Sequence, residues 1–391
     1  MNHQQKVILF TNVGADLYGA DYLLLCLIRS LQRDKFRSIV LVPYDGPLVA
    51  ELESAGATVW VKQFPVLRRR VFTPVGVVGF AWQMLASLIY LLSLSVRERV
   101  DIFHTNTASI WPPGIVAAIL GKKHIWQVME LVESPRLVGW AMSKMTGIFS
   151  SKVFCISDAV RSHFLRDNPG RISKFQTLYH GVNLEEYDPL RYDRGAMRRA
   201  QGIPPDAPVV MYAGRFSGWK GQDIFAEALR ILVNQGTAKL YGAHFIILGS
   251  CFPGQEEFER DLDARLQSFA EPGSMHRAGF QRNLPEWMAA SDIFVLPSKR
   301  PEPNATVLIG AMAMGLPCVG TNIGGTVETI VDGETGYLIP PDSPTTVAEA
   351  LTSLLADPAR AVKMGKAGRE RALVVFSINR YCETMSHEYE K

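Results

Sequence analysis

The strongest constraint on this chain is a regular alternation. Short apolar, β-branched runs bounded by turn residues are followed, again and again, by stretches with the length and spacing of helices. In the first half the strand-like runs fall at 6–10, 38–42, 58–61, 100–104, 124–128 and 152–156. In the second half they fall at 209–213, 244–248, 275–279, 292–296 and 317–320. Helical spacing covers 20–32 and 222–232. A strand followed by a helix re-enters its sheet parallel to the strand before it. The pattern therefore predicts doubly wound α/β structure with helices on both faces of parallel sheets.

At 391 residues the chain suits two such domains better than one. The stretch His180-Gly181-Val182-Asn183-Leu184-Glu185-Glu186-Tyr187-Asp188-Pro189 separates the two series of strands. It mixes turn formers and has no hydrophobic period, which makes it a linker. The expected organisation is a Rossmann-like domain over 1–180, a linker over 181–190, a second Rossmann-like domain over 191–370, and a helix over 371–391 returning toward the first domain. Two domains so joined present the carboxyl ends of their strands to a central cleft, where open α/β sheets bind ligands.

Composition narrows the function classes. A formal net charge of +3 is small, and no run interleaves Lys or Arg with aromatics, so nucleic acid is not an expected partner. Five cysteines (Cys26, Cys155, Cys251, Cys318 and Cys382) lack C-x-x-C spacing and read as reduced thiols of a cytoplasmic protein. The polar residues 1–6 run straight into the first strand, with no secretory signal before it.

One segment points toward a membrane. No charged residue occurs from Val77 to Val96, and Arg68, Arg69 and Arg70 stand just upstream. The composition suits a span, but the strands on either side read as one sheet, which a span would divide across the bilayer. The segment also carries a weak polar stripe at helical spacing: Gly79, Gln83, Ala86 or Ser87, Tyr90, Ser93 and Arg97. A helix packed on its own sheet is the preferred reading. A helix resting in an anionic membrane interface, its arginines at the headgroups, is the second. A true span is the third.

The second half holds the informative motifs. Its first strand runs into Ala213-Gly214-Arg215-Phe216-Ser217-Gly218-Trp219-Lys220-Gly221, a Gly-interrupted turn that leads into a helix. Arg215 and Lys220 can both face one anion beside that helix N-terminus. The spacing is not that of a Walker loop, so an ATPase is not indicated. Further on, a strand ending at Leu296 is followed by Pro297-Ser298-Lys299-Arg300-Pro301-Glu302-Pro303 and a helix expected to begin near Asn304. The free N–H groups of Ala305, Thr306 and Val307 form a second anion site, and Glu302 stands immediately before it. Asp261-Leu262-Asp263 lies in a charged helical run and reads as a solvated face. No H-E-x-x-H, paired metal spacing or G-x-S-x-G turn is present. His104, at a strand end, reads as a cleft-lining or packing residue.

Taken together, these pieces resemble the retaining glycosyltransferases of family 4, the glycosyl transferases group 1. The resemblance rests on 213–221, Gly279-Phe280, Ser291-Asp292 through Ser298, 301–317, Gly324-Gly325-Thr326-Val327-Glu328 and Asp332-Gly333-Glu334-Thr335-Gly336. Tyr18-Gly19-Ala20-Asp21, 101–104, 156–160 and 180–183 add weaker support in the first half. It implies the GT-B fold, with two Rossmann-like domains facing a central cleft. It also implies a nucleoside diphosphate sugar as donor substrate, with neither metal nor separate cofactor, and transfer with retention of configuration. The acceptor it implies is a glycan or lipid-linked, membrane-associated molecule of polysaccharide or glycolipid biosynthesis. By the same resemblance Gly214, Arg215 and Lys220 hold the donor diphosphate, helped by the helix start at Asn304, Ala305, Thr306 and Val307. Phe280 lies against the nucleobase. Glu302 contacts the transferred sugar and completes a catalytic set with Arg215 and Lys220. Tyr18 and Gly19 face donor and acceptor; in the loop 127–133 Glu130 is the candidate for acceptor contact, with Glu133 as the alternative.

Two positions depart from the family pattern. Eight residues after Glu302, where the family usually has a ribose-binding glutamate, stands Gly310. In Gln127-Val128-Met129-Glu130, Met129 takes the place where many relatives have a histidine. These changes motivate a rival reading, a nucleotide-sugar-binding homologue that has lost catalysis.

Overall fold

The computed structural model describes residues 5–17, 19–67, 71–269 and 273–391. The chain divides into two compact units: Met1–His180 with Ile378–Lys391, and Gly181–Ser377.

The first unit is built on seven strands: β1 (Lys6–Thr11), β2 (Phe36–Val42), β3 (Thr58–Val61), β4 (Ile102–Asn106), β5 (Lys123–Val128), β6 (Lys152–Cys155) and β7 (Phe175–Thr177). They pair in parallel in the order β3-β2-β1-β4-β5-β6-β7. The second unit has β8 (Val209–Ala213), β9 (His244–Leu248), β10 (Met275–Gly279), β11 (Ile293–Leu296), β12 (Cys318–Thr321) and β13 (Gly336–Ile339). These also pair in parallel, in the order β10-β9-β8-β11-β12-β13. Helices cover both faces of such sheets, so central strands are buried on both sides; β4, β8 and β11 are buried throughout, β8 and β11 with near-continuous apolar runs and β4 with the polar His104, Thr105 and Asn106 after Ile102 and Phe103. In each unit the strand order turns back at one place, between β1 and β4 and between β8 and β11. The loops leaving those four strands are the natural ligand-binding loops of the two sheets.

Two strands escape the sequence pattern, and both are edges. β7 has three residues, and β13 opens on Gly336, whose φ is 158° and where a Cβ would lie 1.9 Å from the Cys318 carbonyl oxygen. β4 begins two residues later than its apolar run. Asp101 instead exchanges bonds with the Val7 backbone, its Oδ2 accepting from Val7 N at 3.0 Å and its N donating to Val7 O at 2.9 Å. The stretch 181–190 belongs to the second unit. Arg369 ties it down, with Nη2 3.0 Å from Asp188 Oδ1 and Nη1 donating to Tyr187 O at 3.2 Å. The last helix, Ile378–Glu390, packs against the helix Gly19–Ser30 of the first unit. There it buries Ile378, Tyr381, Cys382, Met385 and Tyr389 beside Leu24, Leu27 and Ile28.

The helix Pro74–Glu98 packs on its own sheet as expected, but by one face only. One face, with Leu91, Leu94, Ser87 and Ser95, is buried on the sheet. The opposite face is also apolar and lies open: Val75, Val78, Trp82, Leu85 and Ile89 recur at helical spacing, with Trp82 71% exposed. The expected polar stripe is split, since Ser87 is buried while Gln83, Ser93 and Arg97 are exposed. The physical reason is that a helix apolar all round has only one face that a sheet can cover. It is long and apolar enough to cross a membrane by composition. Yet β3 and β4, which flank it, belong to one sheet, so it is not a span. Arg68, Arg69 and Arg70 lie outside the described residues.

Candidate active site

In the second unit the turn back of the strand order sets the loop after β8 beside the loop after β11. Two close approaches pin them together. Gly221 has φ +73° and no room for a side chain, because a Cβ there would fall 1.9 Å from the Pro297 carbonyl oxygen. Trp219 O accepts from Lys299 N at 2.7 Å. The ammonium of Lys220 then reaches Glu302, with Nζ 2.7 Å from Oε1 and 2.8 Å from Oε2. Ser298 Oγ donates to the same Oε1 at 2.7 Å. The pair is largely enclosed, the two side chains being 20% and 12% exposed. The Glu302 carboxylate thus takes up the Lys220 ammonium through both of its oxygens.

Glu302 is fixed from behind by a pair of glycines. Gly325 N donates to Glu302 O at 2.6 Å. A Cβ on Gly324, where φ is +58°, would meet the Glu302 backbone at 2.6 and 2.8 Å, and one on Gly325 would fall 2.2 Å from Pro303 O. The sequence carries Gly324-Gly325 plainly, but only contact shows that they are the backing for Glu302.

The helix expected near Asn304 runs over Thr306–Ala313, two residues later, because Ala305 keeps an extended backbone (φ −82°, ψ 94°) and serves as the N-cap. An alanine has no oxygen with which to cap. The N-cap therefore sends no side-chain oxygen to the first amides, at Thr306 and Val307. Ala305 is buried, and Asn304, Thr306 and Val307 are half-buried. Gly214 continues β8, and Arg215 after it is exposed; its guanidinium lies 3.8 Å from the centroid of the Phe252 ring. Phe252 follows β9 in Gly249-Ser250-Cys251-Phe252, a loop whose only sequence signal is an aromatic among turn formers. Phe280 stands 55% exposed after Gly279, at the end of the neighbouring strand β10. The structure therefore brings Lys220, Glu302 and Ser298 into direct contact. It places Arg215, Phe280 and the amides of Thr306 and Val307 on loops or helix starts following strands of the same sheet.

Gly310 is accounted for by its neighbour. It is buried in the helix Thr306–Ala313, and a Cβ there would lie 2.5 Å from Tyr187 Cε1. The ring of Tyr187 fills the space next to the helix backbone. Burial also pushes the Tyr187 hydroxyl well above the usual tyrosine range.

In the first unit, Gly19 opens its helix with empty space where a side chain would be; Tyr18 lies outside the described residues. Glu130 is taken up by its own surroundings. Its Oε2 accepts from Met129 N at 3.1 Å and Ala108 N at 3.3 Å, and Thr107 Oγ1 donates to its Oε1. Burial raises its carboxyl to about 7, against the pull of those amides. Thr107 has φ +99°, which is strained for a β-branched residue. It is held there by Trp126 Nε1, which donates to its carbonyl at 2.7 Å, and by its own N–H to Gln127 O at 2.9 Å. Met129 is half-buried beside Glu130. Asp261 and Asp263 pair separately with Arg265 at 2.8 Å and Arg277 at 2.7 Å.

Comparison with known proteins agrees with this architecture. The family profile "Glycosyl transferases group 1" matches residues 193–371, and "Glycosyltransferase Family 4" matches residues 18–186. Spore coat protein SA of Bacillus subtilis is 26% identical over 305 residues, 75% of this chain and 79% of that protein. The lipopolysaccharide core biosynthesis mannosyltransferase LpsB of Rhizobium meliloti is 27% identical over 308 residues, 78% of this chain and 83% of that one. Several D-inositol 3-phosphate glycosyltransferases match as well, and the chain spans less than half of their length. The crystal structure of Anabaena HepE in complex with UDP superposes with a TM-score of 0.83 at 20% identity, covering 99% of this chain and 100% of that one. With two parallel-sheet units of this topology, and with both halves matched by the profiles, the chain belongs to the family 4, group 1 glycosyltransferases and has the GT-B fold.

Proposed function

We propose that the protein is a retaining glycosyltransferase that moves a sugar from a nucleoside diphosphate sugar to a lipid-linked or other membrane-associated glycan acceptor, at the cytoplasmic face of a membrane. The observation that carries this reading is the enclosed Lys220–Glu302 pair on loops from adjacent strands, in the same sheet as the uncapped helix start at Thr306. As the bond between the sugar C1 and the leaving phosphate oxygen breaks, negative charge grows on the diphosphate. Lys220, Arg215 and the amides of Thr306 and Val307 take up that charge, so no divalent ion is called for. The acceptor oxygen attacks C1 on the face the phosphate leaves, and its proton passes to the departing phosphate oxygen. Glu302, released from Lys220 by the incoming diphosphate, accepts hydrogen bonds from the sugar hydroxyls. Anabaena HepE, solved with UDP, and the mannosyltransferase LpsB lend support to a nucleotide-sugar donor and a lipid-borne acceptor.

The test is Lys220→Ala. Loss of one preorganised donor costs about 2.7–4 kcal/mol, or roughly 10²–10³ in turnover, with the fold retained. Turnover near that of the unsubstituted protein sinks the mechanism. The rival reading, a nucleotide-sugar binder without catalysis, draws on Tyr187 filling the space beside Gly310. Nucleotide-sugar binding with no product across a panel of acceptors decides for it.

The open face of the helix Pro74–Glu98 is the surface for the membrane. Trp82, Leu85 and Ile89 enter the interface, and the basic run Arg68-Arg69-Arg70 of the sequence supplies affinity for anionic headgroups, about 1 kcal/mol for each arginine near the surface. Cosedimentation with phosphatidylglycerol vesicles is expected, weakened by salt and by Trp82→Glu. Indifference to lipid and salt removes this part of the reading.

A further inference from the structure

The first unit carries a line of buried polar side chains that the chemistry above does not use. It begins at Tyr389, in the last turn of the helix Ile378–Glu390. It passes through His104 and Asn106 on β4 and Asn12 just beyond β1, and ends at Asp21 in the first turn of the helix Gly19–Ser30. Tyr389, His104 and Asn12 have no exposed surface, and Asn106 and Asp21 are also buried. Four contacts join them. Tyr389 Oη lies 2.7 Å from His104 Nδ1, and His104 Nε2 lies 2.8 Å from Asn106 Oδ1. Asn106 Nδ2 lies 3.3 Å from Asn12 Oδ1, and Asn12 Nδ2 lies 2.6 Å from Asp21 Oδ1.

The direction of every bond follows from the Asp21 end. A carboxylate only accepts, and so does the Gly14 carbonyl oxygen, 3.0 Å from the same Asn12 nitrogen. Both force the NH₂ of Asn12 toward Asp21. The Asn12 oxygen must then accept from the NH₂ of Asn106, which turns the Asn106 oxygen toward His104. That oxygen needs a donor, so Nε2 carries the histidine proton. Burial holds His104 neutral, with its pKa lowered to about 4, so Nδ1 is bare and the Tyr389 hydroxyl donates to it. All four donors point the same way, toward the turn Asn12–Asp16. Gly14 lies against the end of the line, where a Cβ would sit 3.2 Å from both oxygens of Asp21.

We propose that Tyr389, His104 and Asn106 are positioning residues for the loop between β1 and the helix Gly19–Ser30, so that the final turn of the chain sets the geometry of a substrate-facing loop. The link to substrate rests on the proposed function; the link to the loop does not. A buried chain of this kind holds its members in one orientation because reversing any one strands the rest. The C-terminal helix therefore does more than cover apolar surface.

Nitrogen-15 spectra of histidine-labelled protein test the polarity without any substitution. His104 should show the Nε2–H tautomer at pH 7, and an Nδ1–H signature overturns the proposal. Tyr389→Phe removes the hydroxyl and keeps the ring. It should shift the amide signals of Gly14, Asp16 and Gly19 and lower kcat fivefold or more, with the donor KM unchanged within twofold. Signal changes confined to residues packed around position 389 overturn it, whether or not turnover is found. His104→Gln retains a donor where Nε2 stood and His104→Asn does not. The glutamine variant should therefore keep at least threefold more activity, and equal or reversed activities count against the proposal.

Discussion

Replacing Gly310 by alanine sets two effects of opposite sign against each other at one site. In the interior of a helix the change from glycine to alanine is favourable by about 1 kcal/mol. Against it stands the ring of Tyr187, whose Cε1, Cδ1 and Cζ would lie 2.5, 3.0 and 3.2 Å from the new Cβ. Ordinary carbon contacts begin near roughly 3.5 Å, so the ring must retreat by about 1 Å. It has little freedom to do so, since its backbone N–H donates to Asn183 O at 2.9 Å and its carbonyl accepts from Arg369 at 3.2 Å. Overpacking of this kind costs about 1–3 kcal/mol, which leaves a net loss of roughly 1 kcal/mol. In a Tyr187→Ala background the clash is gone and the same substitution should stabilise by about 1 kcal/mol. The expected coupling between the two positions is therefore about 2 kcal/mol, well above the scatter of independent sites. Urea denaturation of the four proteins, read at the transition in which the second unit unfolds, measures it. If Gly310→Ala stabilises both backgrounds equally, Tyr187 does not explain the glycine.

Two further outcomes are expected. Phe252 is exposed and its ring supports the Arg215 guanidinium at 3.8 Å, a contact worth about 0.5–1 kcal/mol at such a site; Phe252→Ala should weaken nucleoside diphosphate binding by about two- to fivefold, measured by calorimetry, and should add nothing in an Arg215→Ala background. For Glu130, whose carboxyl rises from 4.5 to about 7, the folded chain keeps a proton that the unfolded chain has released between those values. Stability from this group is therefore lost as pH rises through that window, by about 3 kcal/mol at most. Glu130→Gln should flatten the change in urea midpoint between pH 5 and pH 8 and be the more stable protein at pH 8; an unchanged pH dependence refutes the assignment.

The sheets were legible because their strands are buried on both faces, so that β1, β8 and β11 appear as unbroken apolar runs. The loop from Gly214 to Gly221 and the position of Glu302 were legible too, since glycines, cations and a carboxylate at strand ends mark themselves in one dimension. The edge strands β3 and β10 were legible as well, but the other two edges were not: β7 is too short and β13 begins on glycine. The helix Thr306–Ala313 starts two residues later than expected because local preference favours Asn304 as the cap and Ala305 inside the helix, whereas the folded chain keeps Ala305 extended.

The sequence by itself determined the class of fold and most of the strands that build it, and it marked Arg215, Lys220 and Glu302 as charged groups at strand ends. Each of these depends on residues near one another along the chain. Only tertiary structure decided that Lys220 meets Glu302, that Gly324 and Gly325 back it, and that Tyr187 occupies the space beside Gly310. It alone also showed that one apolar face of the helix Pro74–Glu98 remains uncovered, and that Tyr389 reaches Asp21 through three intermediaries. These are relations between residues far apart in sequence, fixed by how helices close over a sheet. Composition and periodicity record that a side chain is apolar or charged, but not which partner arrives to cover it.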